Sequence, residues 1–354
     1  MNEAEWQQKW GIELTSSPQV FCKLPREAYD DLPGINASLC KEVIGSTEAH
    51  AWKKCIDPNR PEQEERDAFI QGNIAHALVL EWDEVSSRYV LAPDLPKRPT
   101  EKQLIEPDRL TKGGKPAKAY ETWKEYKAIE DQWIEWEKTN LPPTAEIVSE
   151  ANYSKGFAYA NALWQHPILK YRYEKTEKYR MLNEITFTYI DTQTKRRIKA
   201  RIDSLRIFDD HLWIGDIKTA QDAGEGESHF GLAIAKYGYI VQSAFYHDAL
   251  YHCRTALEKI MGFAEGSLII LPIIFEWVAI EKDPIGPEFI GRYYMTDEQL
   301  SDGRSLYRLA VNKVHLSLQI DYWPGYSVSP SAAVLPGWYK RTINQQKARL
   351  KGER

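Results

Sequence analysis

Between residues 183 and 220 apolar and polar positions alternate with a period of two, while on both sides of that stretch they recur every three to four residues. The alternating stretch, NEITFTYIDTQTKRRIKARIDSLRIFDDHLWIGDIKTA, predicts three strands joined by tight turns at DTQTK and FDDH. Upstream, INASLCKEVIGSTEAHAWKK predicts a helix from Ile35, with Ser38 or Asn36 as its N-cap. After the break at Pro58 and Pro61, EERDAFIQGNIAHALVLEW predicts another, because Phe69, Ile70, Ile74, Ala77, Leu78 and Leu80 follow a helical period. AYETWKEYKAIEDQWIEWEK and, beyond LPPT, AEIVSEANYSKGFAYANALWQHP read as two more helices. Downstream, HFGLAIAKYGYIVQSAFYHDALYHCRTAL is helical with a kink at Gly238. An apolar strand over 267–280, a second strand near PEFIGRYYM and a long helix from Thr296 to Gln319 follow. Strands enclosed by helices predict an α/β layered domain with a mixed central sheet.

The chain of 354 residues suits one large domain or two modest ones. The best internal break, EWEKTNLPPT, carries no shift in composition. The division expected is an N-terminal arm over 1–33, one domain over 34–325 and a basic tail over 326–354. A long loop over 92–118 carries Lys97, Arg98, Lys102, Arg109, Lys112, Lys115 and Lys118. Loops of that length tend to be functional or disordered. This loop and the terminal YKRTINQQKARLKGER read equally as DNA-contacting segments or as solvated surface.

Net charge is −5, unlike the basic balance of many proteins that live on non-specific nucleic-acid binding. Any DNA contact then needs local positive charge, metal ions or assembly. Cys22, Cys40, Cys55 and Cys253 are widely spaced with no CxxC pair, which argues against a zinc ribbon or an iron–sulfur cluster. No signal peptide is read at the N-terminus, so free thiols in a reducing cytoplasm are expected. LIILPIIFEWVAI is too short and too interrupted to span a membrane.

The chemistry concentrates in LWIGDIKTA. Side chains alternate along a strand, so Asp216 and Lys218 share a face with Leu212 and Ile214. The preceding strand carries Asp203 on the face of Arg197, Lys199 and Arg201, and a short hairpin brings Asp203 toward Asp216. Two converging carboxylates need a proton or a cation between them. Oxygen ligands suit Mg²⁺, with Mn²⁺ as a substitute, better than zinc. Two acids and a lysine around a metal can hydrolyse a phosphodiester. Taken alone, an Asp–Lys pair at a strand end is more often a solvated surface pair.

The order of these residues resembles the RecB-like branch of the PD-(D/E)xK nuclease superfamily. RID supplies Asp203, DIK supplies Asp216 and Lys218, QSAFY supplies Gln242 and Tyr246, and GNIAHALVLE supplies His76. Within that branch the stretches INASLCKEVIGSTEAHAWKK, QGNIAHALVLEWDEVSSRYVLAP, DRLTKGGKPAKAYETWKEY and KARIDSLRIFDDHLWIGDIKTAQDAGEGESHFGLAIAKYGYIVQSAFYHDAL are similar to the nuclease domains of RecE-type exonucleases. These cover most of residues 35 to 250. The family often has a proline beside the hairpin aspartate, where this chain has Ile202.

The resemblance implies a Mg²⁺-dependent exonuclease that degrades linear double-stranded DNA from 5′ ends and leaves 3′ overhangs. It implies a ring-shaped homo-oligomer, a tetramer in the RecE group, and a RecT-type single-strand annealing protein as partner. His76, Asp203, Asp216 and the Ile217 carbonyl would hold metal. Lys218 would position the attacking water, its pKa lowered by nearby cations, and Gln242 and Tyr246 would hold the DNA backbone or Lys218. Glu184 opens the first strand as a candidate outer carboxylate. The rival readings are a catalytically silent DNA-binding module on the same fold, another RecB-type nuclease, or a glycosidase using paired carboxylates. The last explains neither Lys218 nor the Gln-x-x-x-Tyr helix.

Overall fold

In the computed structural model, which describes residues 1–60, 66–109, 118–174, 180–330, 332–334, 337 and 339–343, the opening segment is built into the sheet. Helix α1 (Glu3–Trp10) carries an N-terminal capping box of Asn2 and Glu5. Strand β1 (Gln19–Phe21) and helix α2 (Arg26–Asp31) follow. Trp6, Leu24, Ala28, Tyr29 and Leu32 make a small core of their own, with the Trp6 indole donating to the Ala28 carbonyl at 2.8 Å. The segment read from the sequence as an arm thus supplies an edge strand.

Helix α3 (Ala37–Gly45) starts where the Asn36 side chain accepts from the Leu39 amide, and α4 (Glu48–Cys55) starts at Thr47 in the same way. Helix α5 (Asp67–Leu80) is followed by the single turn α6 (Val85–Arg88) and strand β2 (Tyr89–Leu91). The start of the 92–118 loop lies against α7 (Lys118–Asn140). Arg98 bonds Glu130 and Glu137, and the Trp133 indole donates to the Pro96 carbonyl. Arg109 pairs with Glu106, while Lys112 and Lys115 lie outside the described residues, as does most of the basic tail.

The stretch expected to be helical from Ala145 begins instead with strand β3 (Glu146–Val148), parallel to β2. Ile147 and Val148 are β-branched and favour the extended state, and Ser149 caps α8 (Glu150–Gln165) immediately after them. A single turn, α9 (Lys170–Tyr173), precedes the long strands β4 (Arg180–Ile190), β5 (Arg197–Ile207) and β6 (Leu212–Ala220). Helices α10 (Phe230–Tyr237) and α11 (Tyr239–Met261) are separated by Gly238 in the left-handed conformation, φ 63°. They form the crossover to β7 (Ile273–Glu281), which runs parallel to β6. The expected strand over 267–280 starts later than its apolar run, because Arg254 holds the carbonyls of Ile269 and Leu271 in a turn and Pro272 has no N–H to donate. Strand β8 (Ile290–Tyr294) and helix α12 (Asp297–Ile320) complete the order.

The six-stranded sheet has the order β1-β4-β5-β6-β7-β8, antiparallel except for β6 and β7. This is the mixed α/β architecture expected. One face buries Phe187, Ala200, Ile214 and Trp277 against Leu39, Phe245 and Val311 of α3, α11 and α12. The other buries Trp213, Ile217 and Val278 against Ile74 and Leu78 of α5 and Leu163 of α8. The alternation in β6 therefore divides as the sequence predicts.

Two irregularities create the site. The β5–β6 ladder ends at Ser204↔Gly215, one register position short of Asp203 against Asp216, while β6 continues on β7 to Ala220. The sheet forks there. In β4, Glu184 has φ 49° and drops out of a register that holds on both sides, Asn183↔Ser204 and Ile185↔Ile202. Such a backbone is uncommon for a non-glycine residue and marks stored strain.

Helix α5 reaches the fork because it packs closely on α8 at Gly156. A Cβ there would lie 2.6 Å from Ile74 Cγ2 and 2.9 Å from the Gln71 carbonyl. Gly156→Ala is expected to destabilise the fold by about 1–3 kcal/mol despite its better helix propensity, because a backbone carbonyl cannot yield. A urea melt should show a lower midpoint with an unchanged slope.

Candidate metal and phosphate site

Side chains converge on the fork from both faces of the sheet. From the α5 side, His76 places Nε2 3.1 Å from the Ile217 carbonyl and 3.6 Å from Asp203 Oδ2, with Nδ1 4.0 Å from Glu184 Oε1. One ligand atom each from His76, Glu184 and Asp203 lies within 4.8 Å of the others. From the α11 side, Lys218 Nζ donates to Asp216 Oδ1 at 2.8 Å, and Gln242 Nε2 donates to the same oxygen at 3.1 Å. Asp216 is 1% exposed, and its Oδ2 lies 2.8 Å from Lys218 but off hydrogen-bonding geometry, without a hydrogen-bond partner. Tyr246, one turn after Gln242, is half-buried against the same core.

Glu184, placed by sequence only in an outer role, stands in the same group as His76 and Asp203. Its other oxygen receives the Arg201 guanidinium at 2.5 Å. Asp216 belongs instead to the lysine half of the site. The residues expected to act together thus form two adjoining groups, with Asp203 and Asp216 facing across the fork.

The charges explain the geometry. Burial pushes the Asp203 carboxyl up to about 7, and neighbouring Asp216 and Glu184 add to this against the pull of His76 and Lys218. Burial opposes the charge on His76, but Asp203 and Glu184 outweigh it and raise the imidazole to about 9. Burial also opposes ionisation of Glu184, and His76 with Arg201 reverses this, lowering it to about 2. The lowering expected for Lys218 supposes bound cations, and without them the balance runs the other way. Burial opposes its charge, yet Asp216 and Asp203 overcome that and raise its pKa rather than lowering it. Beside it, Lys41 of α3 is held down to about 8, by burial first and then by Lys218.

Sequence reasoning missed Lys41 and Tyr239. Lys41 Nζ donates to Gln242 Oε1 at 3.0 Å, and the Tyr239 ring carries Lys41 at 5.8 Å and Lys218 at 5.3 Å. A lysine in an amphipathic helix gives no signal of this, since its partner is 201 residues away. The cationic row of β5 serves the N-terminal segment. Arg197 bonds Glu3 and the Thr15 carbonyl, Lys199 bonds the Tyr29 and Asp30 carbonyls, and Arg201 bonds the Leu24 carbonyl.

The donor set fits a hard divalent cation. It offers two carboxylates, an imidazole and an adjacent backbone carbonyl, with a buried carboxylate oxygen of Asp216 beside them that lacks a hydrogen-bond partner.

No family model matches the chain, and no curated protein matches it. Solved structures do. One, from Eubacterium rectale and described as a candidate exonuclease, is 12% identical with a TM-score of 0.48, over 90% of this chain and 98% of that one. A likeness at that level carries no inference about activity. Among the described residues no helix is long and apolar enough to cross a membrane.

A cation entering this group must displace the proton of His76, and below about pH 7 that of Asp203 as well. Mn²⁺ affinity measured by calorimetry is expected to rise by about tenfold per pH unit between roughly pH 7 and 9, with proton release seen as a dependence on buffer ionisation enthalpy. A flat profile would remove His76 from the ligand set.

Proposed function

We propose that this protein is a Mg²⁺-dependent nuclease, and specifically a 5′-to-3′ exonuclease on linear double-stranded DNA that leaves 3′ single-stranded overhangs. The observation that carries the reading is the fork, where His76, Glu184 and Asp203 gather beside the Asp216–Lys218 pair. Acids and a lysine grouped in this way can hold a cation and stabilise charge on a phosphate, which supports the reading. Direction of cutting, a tetrameric ring, a RecT-type annealing partner and a cytoplasmic role in recombination rest on the resemblance of the motifs and belong to the proposal.

His76, Glu184, Asp203 and the Ile217 carbonyl would hold the ion, and Asp216 Oδ2, which lacks a hydrogen-bond partner, would be a further ligand. When bound, the ion supplies Lewis acidity to the phosphate and lowers the pKa of a water. Lys218 stays cationic through Asp216 and stabilises negative charge growing on the phosphate oxygens. Gln242 keeps Asp216 turned toward the fork. Arg201 fixes Glu184, so that this carboxylate meets the site already oriented.

Purified protein with Mg²⁺ should digest linear duplex DNA and spare closed circles, and an end-labelled duplex should lose its 5′ label first. Ca²⁺ should support binding with little cleavage, because its looser coordination activates water poorly. Lys218→Ala should lower kcat by at least ~10²-fold while Mn²⁺ still binds, whereas Asp203→Asn should weaken both. Full activity in Lys218→Ala and Asp216→Ala would refute the site.

A further inference from the structure

Among the described residues Lys41 makes no ion pair, although it lies near Asp216 and Asp203. Lys9, Lys53 and Lys54 each reach a carboxylate, Lys218 has Asp216, and the buried Lys199 has two backbone carbonyls. The Lys41 ammonium has one hydrogen-bond partner among the described residues, the neutral amide oxygen of Gln242 at 3.0 Å. It is partly buried, and it shares the Tyr239 ring with a second ammonium. The electron-rich ring face tolerates both cations without neutralising either. Asp216 and Asp203 favour the charge on both ammoniums, but among the described residues only Lys218 makes an ion pair with either.

The orientation of Gln242 adds direction. Its amide oxygen is taken by Lys41 and its amide nitrogen by Asp216, so neither group can rotate without breaking a bond. Lys41 keeps donors to spare after bonding Gln242, because an ammonium has three. Those donors lie beside Lys218, next to the group of His76, Glu184 and Asp203.

We propose that Lys41, Lys218 and Tyr239 form a phosphate-binding subsite on the α3–α11 side of the fork, which takes a backbone phosphate of the bound DNA strand. The ligand class follows from the chemistry. A phosphate diester spreads one negative charge over two free oxygens that can accept from separate ammoniums, and the strand supplies such groups at regular spacing. The proposal rests on the nuclease reading above. Lys41 contributes twice, as a direct contact to the anion and as the residue that orients Gln242 toward Asp216.

The test reads Lys41 itself. Wild-type protein is labelled with acetic anhydride in Ca²⁺, alone, with a saturating duplex oligonucleotide, or with inorganic phosphate, and acetylation of each lysine is read by mass spectrometry. Shielding of Lys41 by the duplex relative to the other lysines is the expected result, with or without shielding by inorganic phosphate. If the protein neither binds nor cuts DNA while inorganic phosphate still shields Lys41, the nuclease reading falls and the anion subsite stands. If neither ligand shields Lys41, the subsite falls even for an active nuclease. Shielding by inorganic phosphate alone in a protein that cuts DNA removes the DNA strand as its occupant. In parallel, Lys41→Met should weaken duplex binding in Ca²⁺ by about tenfold or more, while Lys41→Arg stays within roughly threefold. Wild-type affinity in Lys41→Met would overturn the proposal.

Discussion

The structure depends on keeping three carboxylates, Glu184, Asp203 and Asp216, close together at a break in a buried sheet. Like charges at that separation in a poorly hydrated place repel strongly, and each loses solvation as well. The surrounding chain answers with a cation for each: Arg201 and His76 for Glu184, His76 for Asp203, Lys218 for Asp216. The balance is incomplete at Asp203, whose carboxyl rises to about 7, and at Asp216 Oδ2, which has no hydrogen-bond partner. A group of that kind is poised for a cation, and strain at Glu184 is the local cost of assembling it.

The fork makes this arrangement reachable. A continuous β5–β6 ladder would leave His76 on one face of the sheet and Gln242 on the other, separated by paired backbone. Ending the ladder at Ser204↔Gly215 opens a path between the faces. His76 then meets the Ile217 carbonyl and Asp203, while Lys218, Gln242 and Lys41 line the opposite wall. Helices α5 and α11 belong to different cores, and the fork is where the two layers share chemistry.

The charge distribution changes meaning in this light. Arg197, Lys199 and Arg201 look in sequence like a basic stripe on a strand, yet they bond carbonyls of the first thirty residues and so fasten the N-terminal segment to the sheet. Arg98 and Arg109 of the basic loop are matched by glutamates. Lys41 faces the carboxylate group beside Lys218, bonded to the neutral amide of Gln242, in a chain of net charge −5.

The amino-acid sequence by itself determined the alternation that makes β4, β5 and β6, the helical periods around them, and the facing of Asp216 and Lys218 away from Trp213 and Ile217. Those follow from local periodicity, which a one-dimensional pattern carries in full. It also placed Asp203 one hairpin away from Asp216, because a short turn fixes register. Only the tertiary structure decided where the β5–β6 ladder ends, how Glu184 turns out of β4 to join His76 and Asp203, and that Lys41 meets Gln242. Each depends on contacts between segments far apart in the chain. The pKa of Lys218 was decided there too. Its direction is the difference between a desolvation penalty and the pull of two carboxylates, and both terms exist only once the chain has folded.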